Sequence, residues 1–309
     1  MDKKGIAIFL GITFAAGYGL EIGLHLMGLI DMGSRSLFHF LMLGGFMCIP
    51  GVAALLAAQM APNAQHPLPG LWPEYADKAI RVGVVTFIAF VVIYAVIGIT
   101  GVSSPQWDLA VLMNKVPKLT EQSENPAVLK VAPYILLAVS PFLSLVLGLT
   151  LFAVVALGSE LGWRAYLLPR LMPLGKVPAY TIAGALWTLW LMPLVYLGFQ
   201  YGARLDAMPL FTVQLLAWAI LFGASLAEIM RRTNNVGMAA MALGSFVSQT
   251  FGLWGHLFPV TAPPWTGSIG VIALVVWLLL ARYPQCYLGK EEIAGIAAPT
   301  AKMDSKASI

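Results

Sequence analysis

The sequence predicts an all-α protein, a polytopic bundle of about eight transmembrane helices with both termini on the inner side of the membrane. Three observations carry that expectation. Charged residues make up only 10% of the 309-residue chain and hydrophobic residues 59%, at a mean hydropathy of +0.83. A soluble chain carries roughly 25% charged residues, so this one lacks the charge to cover a water-facing surface. Apolar runs repeatedly exceed the roughly 18 residues that mark a spanning helix. Finally, the basic residues gather in alternate connectors, as the positive-inside rule requires. A soluble enzyme, a secreted disulfide scaffold and a disordered chain are excluded.

The first span, 5–29, follows Lys3 and Lys4. That beginning resembles a signal peptide, but the apolar run continues past a normal h-region, which predicts a retained span. The second, 37–60, ends at a Pro-rich connector that starts Ala61-Pro62-Asn63 and runs to Pro73. The third, 80–101, begins beside Lys78 and Arg81. The long polar connector 102–131 holds Asp108, Lys115, Lys118, Glu121, Glu124 and Lys130, and leads to the fourth span, 132–157. Arg164, Arg170 and Lys176 separate it from the fifth, 177–198. The sixth, 207–230, runs into Arg231 and Arg232, and 236–257 and 267–283 complete the set.

With the N-terminus inside, all those basic groups except the long connector's face the cytoplasm, together with Arg282, Lys290, Lys302 and Lys306. The outer segments hold only Arg35, Lys115, Lys118, Lys130 and Arg204. The expected organisation is a single bundle over 1–283 followed by a polar, disordered cytoplasmic tail over 284–309. The expected location is a bacterial cytoplasmic membrane, with the lipid bilayer as first partner. No basic patch is interleaved with aromatics, so nucleic acid is not a partner. Two cysteines, Cys48 and Cys286, form neither a metal-ligand spacing nor a disulfide framework. No cofactor is expected.

An ionisable side chain within a span is a functional candidate, because charge in hydrocarbon is costly. Those within or beside the spans are Glu21, His25, His39, Glu160, Glu228 and His256. Glu228, three residues before Arg231, reads as an interfacial ion pair. Glu21 and His25, four apart, share a helix face, and His39 and His256 lie at a similar depth. One Glu and three His make a reasonable ligand set for a divalent metal or a proton relay. Equal depth does not establish proximity, and interhelical hydrogen bonds account for the same residues.

A more specific pattern is Gly158-Ser159-Glu160-Leu161-Gly162-Trp163-Arg164-Ala165-Tyr166-Leu167-Leu168-Pro169-Arg170-Leu171. It resembles the first motif of the CPBP intramembrane proteases, the family of type II CAAX prenyl endopeptidases and bacteriocin-processing relatives, in which Glu-Glu-x-x-x-Arg precedes a Tyr-Leu-Leu-Pro-Arg-Leu-like segment. The stretch Ala185 to Leu194, with its Leu191-Met192-Pro193-Leu194 ending, is similar to the second motif. Arg232-Thr233-Asn234-Asn235 opens a third region running to Val247. The resemblance covers about 132–250, with a weaker echo around Met47-Cys48-Ile49-Pro50-Gly51.

The departures fall on the positions that the resemblance makes reactive. The family's water-activating first Glu is matched by Ser159, leaving Glu160 and Arg164. The second motif's His is matched by Leu191, and the last His and Asn by Leu243 and Val247, or by Gly244 and Ser248 where that gap-free pairing slides by one residue, which restores neither group. The chain has no His between 67 and 255. Peptide hydrolysis needs a base for water and donors or a metal for the oxyanion, and hydrocarbon side chains supply neither. Ser159 has no Lys or His nearby in sequence to activate it. Glu160 and Arg164, at i,i+4 in the favourable order, suit a structural ion pair. Gly162, Gly184, Gly237, Ala239, Ala240, Gly244 and Ser245 suit close helix packing, and Trp163, Trp187 and Trp190 suit packing or cavity lining. What the resemblance implies is a degenerate member of the family, a pseudoenzyme that binds a hydrophobic peptide, a lipidated tail or another membrane protein's helix. The alternatives are an endopeptidase using Glu160, and a small-molecule or ion pathway through Glu21, His25, His39 and His256.

Overall fold

The computed structural model describes residues 2–28, 37–61, 70–71, 76–105, 126–196, 208–252, 254, 257–258 and 267–288. They form α1 (Lys3–Leu26), α2 (Leu37–Met60), α3 (Ala76–Ile99), α4 (Pro126–Leu149) and α5 (Leu151–Leu174). The chain continues through α6 (Lys176–Tyr196), α7 (Met208–Thr233), α8 (Val236–Phe251), α9 (Val271–Arg282) and the single turn α10 (Gln285–Leu288). Among the described residues there is no strand, only an isolated bridge between Gly70 and Asn235. Among the described residues six helical stretches are long and apolar enough to cross a membrane, and shorter apolar ones occupy Ala138–Leu149, Val236–Phe251 and Val271–Arg282. The protein is an all-α, multi-pass membrane bundle.

Local chemistry sets several helix ends. The Asp2 carboxylate caps α1 by accepting from the Gly5 N–H at 2.8 Å, satisfying one of the donors a helix start leaves free. Asn235 caps α8 in the same way through Met238 N–H. Asn234 before it adopts φ +49°, a left-handed conformation that Asn tolerates better than most residues. Gly101, at φ +70°, follows α3.

Small residues decide which helices meet. A Cβ added to Gly158 would lie 2.7 Å from Cys48 Cα, and one on Gly51 would lie 2.7 Å from the Gly158 carbonyl oxygen. One on Gly162 would overlap Pro50. Val155 meets Gly44, so contacts rise in step along α2 and α5, which run parallel. Gly184 packs on Ile220 of α7, Gly237 on Leu71, and Gly244 on α4 and α5 near Gly148 and Ala153. These are the close approaches expected of small residues in hydrocarbon, where dispersion contacts replace the hydrophobic effect between helices. At the centre, Phe90, Phe222, Phe246 and Trp277 join α3, α7, α8 and α9 with ring centroids 5.0 to 6.0 Å apart. Large apolar side chains such as Ile88, Phe142, Val213 and Leu278 face outward, as a lipid-facing surface allows.

Two sequence expectations change. The fourth span, expected at 132–157, is divided at Thr150 (φ −116°, ψ −91°). The motif that was to follow a span at its cytoplasmic end instead lies inside α5, a separate 24-residue apolar helix. Hydropathy falls at Glu160, Arg164 and Arg170, which hides this helix in the sequence, but each charge has a partner in the fold. Gln285–Leu288, within the stretch expected to be a polar tail, forms a helical turn with Tyr287 and Leu288 buried. Residues 289–309 and 106–125, the latter the polar heart of the long connector, lie outside the described residues.

One end of the bundle collects charge. Arg170 near the end of α5 donates to Asp2 at 3.2 Å and stacks on Tyr166 at 3.6 Å. Glu228 near the end of α7 accepts from Lys176, Arg231, Arg232 and the Tyr180 hydroxyl, all within 3.1 Å. The ion pair expected with Arg231 is thus one spoke of a hub. This is the end that the basic-residue pattern assigns to the cytoplasm.

The Gly5 N–H holds the Asp2 carboxyl below its ordinary pKa, burial opposes that effect, and Arg170 lowers it further. A carboxyl depressed in the folded state contributes stability above its unfolded pKa, about 3.9, and loses it as pH falls through the folded value. Protection of the amides of residues 5–9 against hydrogen exchange is therefore expected to drop below about pH 4. In Asp2→Ala it should already be low at neutral pH, with no further acid step. A wild-type protection profile flat through acid pH would contradict this role for Asp2.

Candidate functional site

The site begins with a change of helix type. After an α-helical stretch, Leu151–Glu160, the chain widens into a π-helical turn over Leu161–Leu167, where the Leu168 N–H reaches the Trp163 carbonyl five residues back. Pro169 gives a reason for the widening. Proline has no N–H and its ring clashes with the carbonyl four residues earlier in an α-helix, and the wider turn lets the helix continue past it. Such π-bulges are rare and frequent at functional sites. Here the turn buries every residue from Gly162 through Leu168.

Ser159 and Glu160 are both fully buried. Arg164 Nη1 donates to Glu160 Oε1 at 2.9 Å, with the guanidinium 5% exposed. Arg164 also stacks on the Trp187 ring at 4.1 Å, a contact that desolvation strengthens. Gly223 of α7 leaves room for this guanidinium, since a Cβ there would come within 3.0 Å of Nη2. Glu160 Oε2 and Ser159 Oγ have no hydrogen-bond partner among the described residues.

One helical turn before Glu160, α5 borders a cavity of about 100 Å³. Its walls come from Leu43 and Met47 of α2, Val155 and Ala156 of α5, Trp187 and Leu191 of α6, Trp218 of α7, and Leu243, Phe246 and Val247 of α8, among others. Leu191, Leu243 and Val247, the positions that the first pairing sets against the family's imidazoles and amide, line this one cavity, whereas Gly244 and Ser248, the positions of the pairing slid by one residue, do not. Nor do Ser159, Glu160 and Arg164. Trp187 is the partition: it lines the cavity, packs on Trp218 at 5.0 Å, and bears the Arg164 guanidinium on its ring. On the ion-pair side a second, far smaller hollow touches Arg164, Tyr180, Gly184 and Gly223.

The lining of this cavity is hydrocarbon and indole apart from the Thr250 hydroxyl, and Glu160, whose Oε1 pairs with Arg164, is not part of it. Among the aromatic residues singled out in the sequence, Trp163 and Trp190 pack with Phe9 and Phe46 in the core, whereas Trp187 belongs to the cavity. Sequence reasoning did not single out Leu43 or Trp218, while Phe246 lay within the third motif region and Met47, in the weaker upstream echo, also lines the cavity.

The other candidate set does not assemble among the described residues. Glu21 is buried, with both carboxylate oxygens unpartnered, while His25, one turn on, is exposed. The His39 side chain and His256 lie outside the described residues. Among those that are described, no group of three or more His, Cys, Asp or Glu side chains could hold a metal.

Residues 141–247 match the family model described as Type II CAAX prenyl endopeptidase Rce1-like. The match contains all of Ser159, Glu160, Arg164, Leu191, Leu243 and Val247. No curated protein matches the chain.

Proposed function

We propose that this multi-pass membrane protein, which belongs to the type II CAAX prenyl endopeptidase Rce1-like family through residues 141–247, binds a hydrophobic segment without cutting it. The observation that carries this reading is the convergence of Leu191, Leu243 and Val247 on one apolar cavity that excludes Glu160. A general base is worth about 10²–10⁴-fold and an oxyanion donor about 10²–10³-fold. The apolar and indole lining of this cavity, with the Thr250 hydroxyl, holds no carboxylate or imidazole to serve as the base. The cavity retains the shape and apolar lining that receive a hydrocarbon group. At about 100 Å³ it takes one large apolar side chain, or the end of a lipid-like chain, from a lipidated tail or a partner's helix. Glu160 and Arg164 then act as an internal brace for α5.

The test pairs binding with turnover, using the purified protein in lipid nanodiscs and a farnesylated peptide with a CAAX-type terminus. The peptide is expected to bind, to lose at least about 10-fold in affinity when Leu243→Trp fills the cavity, and to remain intact. Release of a cleaved C-terminal fragment, abolished by Glu160→Gln, would establish an endopeptidase and overturn the proposal.

A further inference from the structure

Glu228 gathers more positive charge than it neutralises. Its Oε1 accepts from Lys176 Nζ at 2.8 Å and from the Tyr180 hydroxyl at 2.6 Å, and its Oε2 accepts from Arg231 at 3.1 Å and Arg232 at 3.0 Å. Three cations share one carboxylate, and among the described residues no other carboxylate pairs with them. Two positive charges are left over. The Glu228 side chain is 2% exposed, whereas those of Lys176, Arg231 and Arg232 are 53%, 48% and 20% exposed. The acid lies behind, and the cations it holds together against their mutual repulsion stand in front. Arg170 shows the opposite arrangement at the same end of the bundle. Its guanidinium is 4% exposed and faces the Asp2 carboxylate, so its charge is neutralised internally.

The surroundings of the three cations are apolar. Lys176 opens α6 between Leu174 and Val177, which are 44% and 75% exposed. Both α6 and α7 are long and apolar enough to cross a membrane. The cations therefore stand where two spans reach the headgroup layer, at the end that the basic-residue pattern assigns to the cytoplasm. Glu228 engages one nitrogen of each cation. A guanidinium carries five N–H groups and an ammonium three, so donors remain on the exposed side.

We propose that Lys176, Arg231 and Arg232, arrayed by Glu228, form a site for the phosphate of an anionic phospholipid headgroup at the inner surface of the bundle. The remaining N–H groups donate charge-assisted hydrogen bonds to the phosphate oxygens, and the acyl chains descend over Leu174 and Val177. A zwitterionic headgroup brings its own cation against the surplus and is disfavoured. A soluble phosphate supplies the charge but leaves the apolar side chains uncovered. None of these residues lines the cavity, so the site stands independently of what the cavity binds.

The experiment follows the unfolding midpoint of the full-length protein in dodecyl maltoside as dioleoyl phosphatidylglycerol, dioleoyl phosphatidylcholine or inorganic phosphate is added. A ligand selective for the folded state raises that midpoint as it saturates. Phosphatidylglycerol is expected to act at about 5- to 30-fold lower concentration than phosphatidylcholine, the gain that one to two cations near an anionic headgroup give. Inorganic phosphate at the same concentration should have no effect. Lys176→Gln combined with Arg231→Gln should abolish the preference, while Arg232 and Tyr180 still hold Glu228. Either single substitution, expected to cost about 5-fold, carries the test where the pair is unstable. Lys3→Gln combined with Lys4→Gln removes two exposed charges from the same end without touching Glu228, and should leave the preference intact. Equal action of the two lipids on the wild type overturns the proposal. So does a preference lost equally in both double variants, which marks a diffuse surface attraction. Inorganic phosphate acting as well as phosphatidylglycerol overturns the lipid as occupant.

Discussion

Arg164→Met is expected to destabilise the protein by about 3–5 kcal/mol, the cost of leaving a buried charge without its partner. The protein's whole stability is expected to be on the order of 5–15 kcal/mol, so this is the largest single-residue effect the structure predicts. Its origin is the complete burial of Glu160, whose Oε1 accepts from Arg164 at 2.9 Å and whose Oε2 has no partner among the described residues. Removing the guanidinium leaves the carboxylate buried without its cation and also removes the cation from the Trp187 ring. Glu160→Gln together with Arg164→Met should recover most of the loss, because neutralising both members removes the stranded charge. Equilibrium unfolding in mixed micelles measures both. An Arg164→Met protein as stable as the wild type would remove the brace from this account of α5, and a double variant no better than the single would locate the cost in packing instead.

Gly158→Ala is the second large effect, and it acts on backbone rather than charge. The new methyl would stand 2.7 Å from Cys48 Cα and 3.1 Å from the Met47 carbonyl oxygen. Neither atom belongs to a flexible side chain, so α2 and α5 must move apart. Overpacking of this kind costs about 1–3 kcal/mol, against a gain of about 1 kcal/mol from exchanging Gly for Ala in a helix. The proper control is Gly11→Ala, where nothing lies within 4 Å and the helix gain should appear alone. Because Met47, Val155 and Ala156 line the cavity from these same two helices, Gly158→Ala should also weaken ligand binding. Unfolding and binding measured on both variants separate the two consequences. Equal behaviour of the two alanine variants would contradict the contact.

Much of this was legible in the residues. Low charge and repeated apolar runs required a membrane bundle, and small residues such as Gly162, Gly184 and Gly244 marked close helix contacts that the fold confirms, whereas Gly237 meets Leu71 of a connector. The pairing of Glu160 with Arg164 followed from helical periodicity, as did that of Glu228 with Arg231. What hydropathy misplaced was the motif itself. A window that averages over neighbouring residues reads Ser159, Glu160, Arg164 and Arg170 as the end of a membrane segment. It cannot know that Asp2, 168 positions away, neutralises Arg170, or that Glu160 and Arg164 neutralise one another inside the helix.

By itself, the sequence determined the class of fold, the gathering of basic residues in alternate connectors and the residue types at the motif positions. These are properties of composition and local spacing, which need no knowledge of neighbours. Only the tertiary structure decided that Leu191, Leu243 and Val247 share one cavity and that Trp187 stands between it and the ion pair. Lateral arrangement in a bundle depends on which helix faces meet. Contacts made between helices far apart in the chain set that arrangement, and no single helix encodes it.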